Sequence, residues 1–312
     1  MSDTINIDVT LRDGGYRNSF NFERSFIQRY CQAIMRSDYD WIEIGYLNGS
    51  ANRRISPGVT GLSKPEYIRE VADILGTAKT ALIGHHHNLD KNIIRKAAVA
   101  GAGLLRLCVT PQNVTETRES IVNALDAGLC VGVNITRASS LRMDEILKCI
   151  DAIDDLPLSV VYIADSNGSM VPRDIERVIN AVRKITEIPV GVHAHNHRGL
   201  ALSNAVTAVH EGACWVDSSL QGMGKGAGNL IAEHWMTLGI SGAPDGNDNE
   251  GQQLAGLLTA SQILQNSVDG STPIIEPLDV MTGIMDLGLE ARKEFSGEIE
   301  TAIAKYINTQ GR

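Results

Sequence analysis

No apolar run in this 312-residue chain reaches the roughly 18 residues that a membrane-crossing helix requires, so no membrane span is expected. There is no basic block either. A net charge of -9 argues against nucleic acid or an anionic membrane as the main partner. It still leaves room for a local basic pocket that takes an anionic metabolite. The cysteines are Cys31, Cys108, Cys130, Cys149 and Cys214, an odd number with no C-x-x-C pair. Such a set reads as buried free thiols in a reducing compartment. The opening residues M-S-D-T-I-N-I-D carry neither a basic n-region nor an apolar h-region. A secretory leader is therefore not expected, and a cytoplasmic location is.

What the chain does contain is a repeating pattern. Apolar residues make up 43% and charged residues 21%, ordinary for a soluble globular protein. Short β-branched runs recur at Ile5–Asp13, Trp41–Tyr46, Thr80–Gly84, Leu104–Thr110, Cys130–Thr136, Ser159–Asp165, Pro189–His195 and Cys214–Leu220. Amphipathic segments lie between them. In Glu23–Asp38, the residues Phe26, Ile27, Tyr30, Ile34 and Met35 share one helical face. Thr115–Ala127 and Pro172–Thr186 read the same way. Helix stops such as A-G-A-G, D-A-G and E-G-A close the repeats. Alternating strand and helix units of this kind predict an α/β fold, a (β/α)8 TIM barrel. An open doubly wound sheet would carry a glycine-rich nucleotide turn after its first strand, where this chain has R-D-G-G-Y. After Ile240 the composition shifts to S-G-A-P-D-G-N-D-N-E-G, a linker signal. The expected domains are a catalytic barrel over residues 1–240 and, over 241–312, the linker with a small C-terminal helical extension. Its helices are expected at Gln252–Gln265, Leu278–Leu289 and Ala291–Ile307.

Barrel enzymes place their chemistry at the C-terminal ends of the strands. Those ends carry Arg12 and Asp13, Glu43, His85 to His87, Arg106, Asn134, Asp165, His193, His195 and His197, then the loop Gln221–Asn229. In V-H-A-H-N-H, strand alternation turns His193 and His195 to the same side. Two imidazoles there can converge on one divalent cation, with Asp13 across the mouth as a third ligand. They can equally be an inward, hydrogen-bonded pair without metal. Arg12 cannot lose its charge and suits an enolate or carboxylate oxygen, or else a structural ion pair. The histidines at 85–87 read as solvated or supporting. G-M-G-K-G-A-G-N at 222–229 stands where many barrels hold phosphate on backbone N–H groups, though its glycines could equally serve packing. Lys225 within it does not suit a Schiff base, since no apolar pocket surrounds it in sequence.

V-T-L-R-D-G-G, I-E-I-G, H-A-H-N and G-K-G-A-G-N together resemble the DRE-TIM metallolyase superfamily. Its members include 4-hydroxy-2-oxovalerate aldolase, 3-hydroxy-3-methylglutaryl-CoA lyase and the isopropylmalate and homocitrate synthases. The resemblance spans residues 5–240. It implies a divalent ion, Mn²⁺ or Mg²⁺ with Zn²⁺ or Co²⁺ as substitutes, on Asp13, His193 and His195, bordered by Asn229. It implies Arg12 as enolate stabiliser and Glu43 as the residue ordering that cluster. Pyruvate, or another 2-oxo acid, and an aldehyde or ketone are the implied substrates. Homo-oligomers are implied too, with a dehydrogenase partner docking through the C-terminal helices.

Two features depart from the aldolases the chain resembles most. The position three past the aspartate, a histidine base in those enzymes, is Tyr16 here. The tyrosine that positions that base is missing from Met281–Leu287. Tyr16, provided the metal and Arg12 lower its pKa, or a metal-bound water is therefore the expected base, with His197 third. An acyl-CoA lyase or condensing synthase on the same scaffold is the alternative enzyme. The former would carry a cysteine in the strand-8 loop, and this loop has none. A non-catalytic barrel binding a metabolite or partner is the third reading.

Overall fold

The computed structural model describes residues 4–50, 58–238 and 248–288. Eight strands, β1 (Ile5–Asp8), β2 (Trp41–Tyr46), β3 (Thr80–Gly84), β4 (Leu104–Val109), β5 (Cys130–Ile135), β6 (Val160–Asp165), β7 (Val190–Ala194) and β8 (Trp215–Ser218), pair in parallel. β1 pairs with β8 and closes the barrel. The wall is made by α1 (Arg24–Ile34), α2 (Val59–Leu62), α3 (Pro65–Leu75), α4 (Lys91–Val99), α5 (Val114–Asp126), α6 (Met143–Asp151), α7 (Pro172–Val182), α8 (Ala201–His210) and α9 (Ala232–Trp235). Two further helices follow, α10 (Asp248–Ser267) and α11 (Pro277–Ile284). Among the described residues, no helix is long and apolar enough to cross a membrane.

Strand alternation sorts the side chains. Outward residues such as Ile42, Ile44, Leu105, Leu107, Val131 and Val133 join the core between sheet and helices. Inward residues at the lower end, Ile7, Ala81, Leu104, Val160 and Trp215, make an apolar plug. Above it the interior becomes ionic, with Glu43, Arg106 and Asp217 all buried. Gly45 of I-E-I-G has φ +156°, and a Cβ there would fall 2.1 Å from the Thr60 carbonyl oxygen. The α2 turn can approach β2 only because position 45 is glycine.

The first strand is shorter than expected. It ends at Asp8 rather than Asp13, because the Asp8 side chain captures the next turn. Its carboxylate accepts the Thr10 N–H at 3.2 Å and the Thr10 hydroxyl at 2.5 Å. The Asp13 N–H then donates to the Val9 carbonyl, so Asp13 sits on a turn rather than a strand end. Met35 falls beyond the end of α1 and is exposed. Of the cysteines, Cys31, Cys108 and Cys149 are buried, Cys130 is exposed and Cys214 is half-buried.

α10 is part of the wall. Leu257, Ala260 and Leu264 are buried, and Gly256 lies against the backbone of Arg36 and Ser37 just past α1. α11 reaches over the mouth, and Asp286 beyond it accepts from Ser139 Oγ at 2.7 Å and Asn167 Nδ2 at 2.9 Å. The helix expected at Ala291–Ile307 lies outside the described residues.

Asp8 also faces Tyr30 on α1, whose hydroxyl donates to it at 2.5 Å. Burial pushes its carboxyl up to about 7, against hydrogen bonds that favour the anion. Because the folded value lies above the unfolded one, its contribution is full in acid and is lost as pH rises toward neutrality. Thermal melts between pH 4 and pH 8 should show that slope, up to about 4 kcal/mol. Asp8→Asn should flatten it. An unchanged slope in the variant would assign the effect elsewhere.

Candidate metal centre

β7 delivers His193 and His195 to one side, and their Nε2 atoms stand 3.2 Å apart. The opposite ring nitrogens fix both tautomers. His195 Nδ1 lies 3.2 Å from the Gly228 carbonyl, which can only accept, so Nδ1 carries the proton. His193 Nδ1 lies 2.9 Å from Asp217 Oδ2. Burial pushes the Asp217 carboxyl up, but Arg106 and His193 outweigh it and keep it below the usual carboxylate range. It is an anion and accepts the hydrogen bond from His193 Nδ1–H. Burial also drives the His195 imidazole well below its ordinary pKa, although Asp13 pulls the other way. The two Nε2 atoms therefore face each other, 3.2 Å apart. A shared divalent cation satisfies both nitrogens, as a single shared proton would.

Asp13 completes the set. Its Oδ2 lies 3.8 Å from His195 Nε2, and the three ligand atoms fall within 4.8 Å of one another. Asn229 stands beside them. Its Nδ2 donates to the Met223 carbonyl at 3.1 Å, while its buried Oδ1 has no hydrogen-bond partner among the described residues. A buried amide oxygen left in this way asks for a ligand. Gly224 makes the crowding feasible, since a Cβ there would fall 2.3 Å from Asn229 Nδ2 and 2.8 Å from Asp13 Oδ2. Two neutral imidazoles, a carboxylate and an amide oxygen fit a borderline or hard divalent ion. The residues present therefore fit the metal that the sequence implied.

A buried ionic chain joins the ligands from behind. Asp13 Oδ1 takes Arg12 Nη1 at 2.6 Å, and Arg12 Nε reaches Glu43 at 2.5 Å. Arg106 bridges Glu43, at 2.8 and 3.0 Å, and Asp217, at 2.8 and 2.9 Å. Asp217 returns to His193. Glu43 is thus fully buried between two arginines and orders them from beneath. Sequence reading named Glu43 and Arg106 but missed Asp217, whose signal was an acid inside the buried strand W-V-D-S.

The sequence profile of the HMGL-like family matches residues 4–248. The chain belongs to the HMGL-like family. Curated relatives named 4-hydroxy-2-oxovalerate aldolase are similar to it in sequence. One from Geobacillus genomosp. 3 is 29% identical over 228 residues, covering 73% of this chain and 67% of its own. One from Pelotomaculum thermopropionicum is 30% identical over 229 residues, with the same coverage of 73% and 67%. Among solved structures, the N-terminal domain of a Bacteroides vulgatus protein assigned as an aldolase superposes with a TM-score of 0.77. It is 22% identical and covers 96% of this chain and 99% of that one. The carboxyl transferase domain of Rhizobium etli pyruvate carboxylase, solved with pyruvate, gives a TM-score of 0.70 at 15% identity, over 95% of this chain and 54% of that one. At these identities the structures show the fold.

The HMGL-like mouth places Tyr16 against an aromatic wall. Its ring meets Phe20 and Tyr46 edge-on, and its hydroxyl lies 3.2 Å from the Tyr46 hydroxyl. A base role asks for a lowered phenol pKa. Burial instead pushes Tyr16 up to about 12, with Arg12 too weak to reverse it. Tyr16 is an O–H donor at neutral pH. His85 stacks on Tyr46 with centroids 5.9 Å apart, and burial pushes it down to about 4, so it is a neutral ring rather than a solvated cation. His197 does not face solvent. It is buried, 5.9 Å ring to ring from His195, and walled by Gly168 and by Gly283 of α11. Cys108 faces the mouth, but burial pushes its thiol up to about 12, which removes it as a nucleophile. Its strand neighbour Asn134 is buried, with Oδ1 unpartnered among the described residues.

Proposed function

We propose that this protein is a divalent-metal-dependent carbon–carbon lyase of the aldolase type. It opens or forms the C3–C4 bond of a 4-hydroxy-2-oxo acid through a pyruvate enolate. The observation that carries this reading is the convergence of Asp13, His193 and His195, whose ligand atoms lie within 4.8 Å of one another, with Arg12 already held next to them by two carboxylates. Asp13, His193 and His195, bordered by Asn229, would hold the ion. When bound, it supplies Lewis-acid polarisation of the 2-oxo group.

The chain's own residues account for the rest. Arg12 is clamped by Asp13 and Glu43 through Nη1 and Nε, so its remaining edge is oriented without further loss of freedom. It stabilises the enolate oxygen that forms as C3–C4 opens. Tyr16 donates its O–H to the oxygen on C4. In the condensation direction that proton ends on the new hydroxyl, and Tyr46 lies next in line to exchange it. In the cleavage direction the 4-hydroxyl proton moves to Tyr16 as Tyr16 passes its own through Tyr46 to water, so neither phenol has to ionise, and C3 of the enolate takes a proton from water to give pyruvate. His197, behind His195, supports that ring rather than touching substrate. Self-association and a dehydrogenase that takes up the aldehyde belong to the same reading.

A retro-aldol screen of 4-hydroxy-2-oxo acids with Mn²⁺ tests it, scored by pyruvate release. The expected result is release that a chelator abolishes and added Mn²⁺ restores. Absence of any bound divalent ion at saturating Mn²⁺ would overturn the metal assignment.

A further inference from the structure

We propose that the carbonyl partner of this reaction carries an anionic group, a carboxylate or a phosphate, and that Lys225 receives it. The inference rests on the lyase reading above and adds a substrate class to it.

Lys225 stands in the loop after β8, and that loop is pinned. The Lys225 N–H donates to Asp13 Oδ2 at 3.1 Å, and the Gly228 N–H donates to the Lys225 carbonyl at 3.0 Å. Arg17 holds the Gly226 carbonyl at 3.2 Å and the Gly270 carbonyl at 2.8 Å. The backbone of Lys225 is therefore tied directly to a metal ligand. Its ammonium lies 6.0 Å from the centroid of the Tyr16 ring, over the residue that meets the electrophile's oxygen.

Charge accounting singles this lysine out. Arg12 is shared between Asp13 and Glu43, and Arg106 between Glu43 and Asp217. Lys225 is half-buried and makes no ion pair among the described residues. A cation–π contact at that distance is worth little alone. Next to it, the Gly226 and Ala227 N–H groups find no acceptor among the described residues, and Ala227 is buried. Gly226 has φ +61°, the left-handed geometry that turns successive N–H groups outward into an anion-binding concavity. An ammonium on the same loop as two open N–H groups, after strand 8 of a barrel, suits a carboxylate or phosphate. The separation from Tyr16 is short, so the anionic group lies a short carbon chain from the reacting carbonyl.

Matched acceptors test this with the Mn²⁺-loaded full chain and pyruvate. One pair is succinic semialdehyde against butanal, the other glyceraldehyde 3-phosphate against glyceraldehyde. Unmutated protein should favour the anionic member of at least one pair, and which pair tells carboxylate from phosphate. In Lys225→Met the ratio of kcat/KM, anionic over neutral, should fall about ten- to a hundredfold. Lys225→Arg should keep most of it. A ratio near one for both pairs in the unmutated protein overturns the proposal. So does a ratio that Lys225→Met leaves unchanged. Deuterium exchange into the pyruvate methyl group, without any aldehyde, separates the two levels. Exchange with no charge preference defeats only this inference, whereas absence of exchange defeats the lyase reading and this one with it.

Discussion

Arg106→Met is expected to destabilise the folded chain by about 3–5 kcal/mol, read as a shift in the denaturant midpoint. Arg106 is wholly buried and makes four hydrogen bonds to two carboxylates, with its guanidinium 4.5 Å from the centre of the Tyr162 ring. Methionine matches the stem but leaves Asp217 buried without its cation. Glu43 suffers less, because Arg12 still reaches it. The unpaired carboxylate, rather than the lost packing, dominates the effect. Adding Asp217→Asn to Arg106→Met should therefore recover part of the loss, since a neutral amide needs no counter-charge. If the double variant were as unstable as the sum of its parts, the explanation would have to move to packing in the barrel core. A midpoint within experimental scatter of the unmutated chain would remove the ionic layer from any account of stability.

That layer also shows where sequence reading reaches and where it stops. β2 and β3 were legible to the residue, because a β-branched run between turn signals leaves few alternatives. The shared side of His193 and His195 followed from a period of two, and the structure sets them 3.2 Å apart. The end of β1 was not legible. Ile5–Asp13 alternates like one strand, but Asp8 folds its carboxylate onto Thr10, and a local hydrogen bond overrides the pattern. Asp217 was missed because its partners, Arg106 and His193, are distant in sequence and meet it only when the barrel closes. Nothing local to His197 reveals that α11 covers it. Tyr16 was expected to have its pKa lowered by the metal and Arg12, whereas burial in the fold pushes it the other way. Sequence shows which charges lie near a phenol; it does not show how completely the fold removes water from it.

Arg12→Ala is expected to lower kcat by about 10²–10³ while moving the KM for pyruvate far less. The reason lies in where its charge is needed. Two nitrogens of the guanidinium are held by Asp13 and Glu43 before substrate arrives, so no reorganisation is required when negative charge develops on the enolate oxygen. An interaction that strengthens only as the enolate forms shows itself in turnover rather than binding. Loss of folding is not expected, because Glu43 keeps both of its bonds to Arg106. Arg12→Lys should recover little, since a single ammonium cannot face two carboxylates and an oxyanion at once. The decisive measurement is again deuterium exchange into pyruvate without an aldehyde. If Arg12 stabilises the enolate, exchange and overall turnover fall by the same factor in Arg12→Ala. In Tyr16→Phe, by contrast, turnover with an aldehyde should fall more than exchange, because Tyr16 meets the electrophile's oxygen. Should Arg12→Ala exchange protons at the unmutated rate, Arg12 would be left as a structural clamp between Asp13 and Glu43. Enolate stabilisation would then have to come from elsewhere in the mouth.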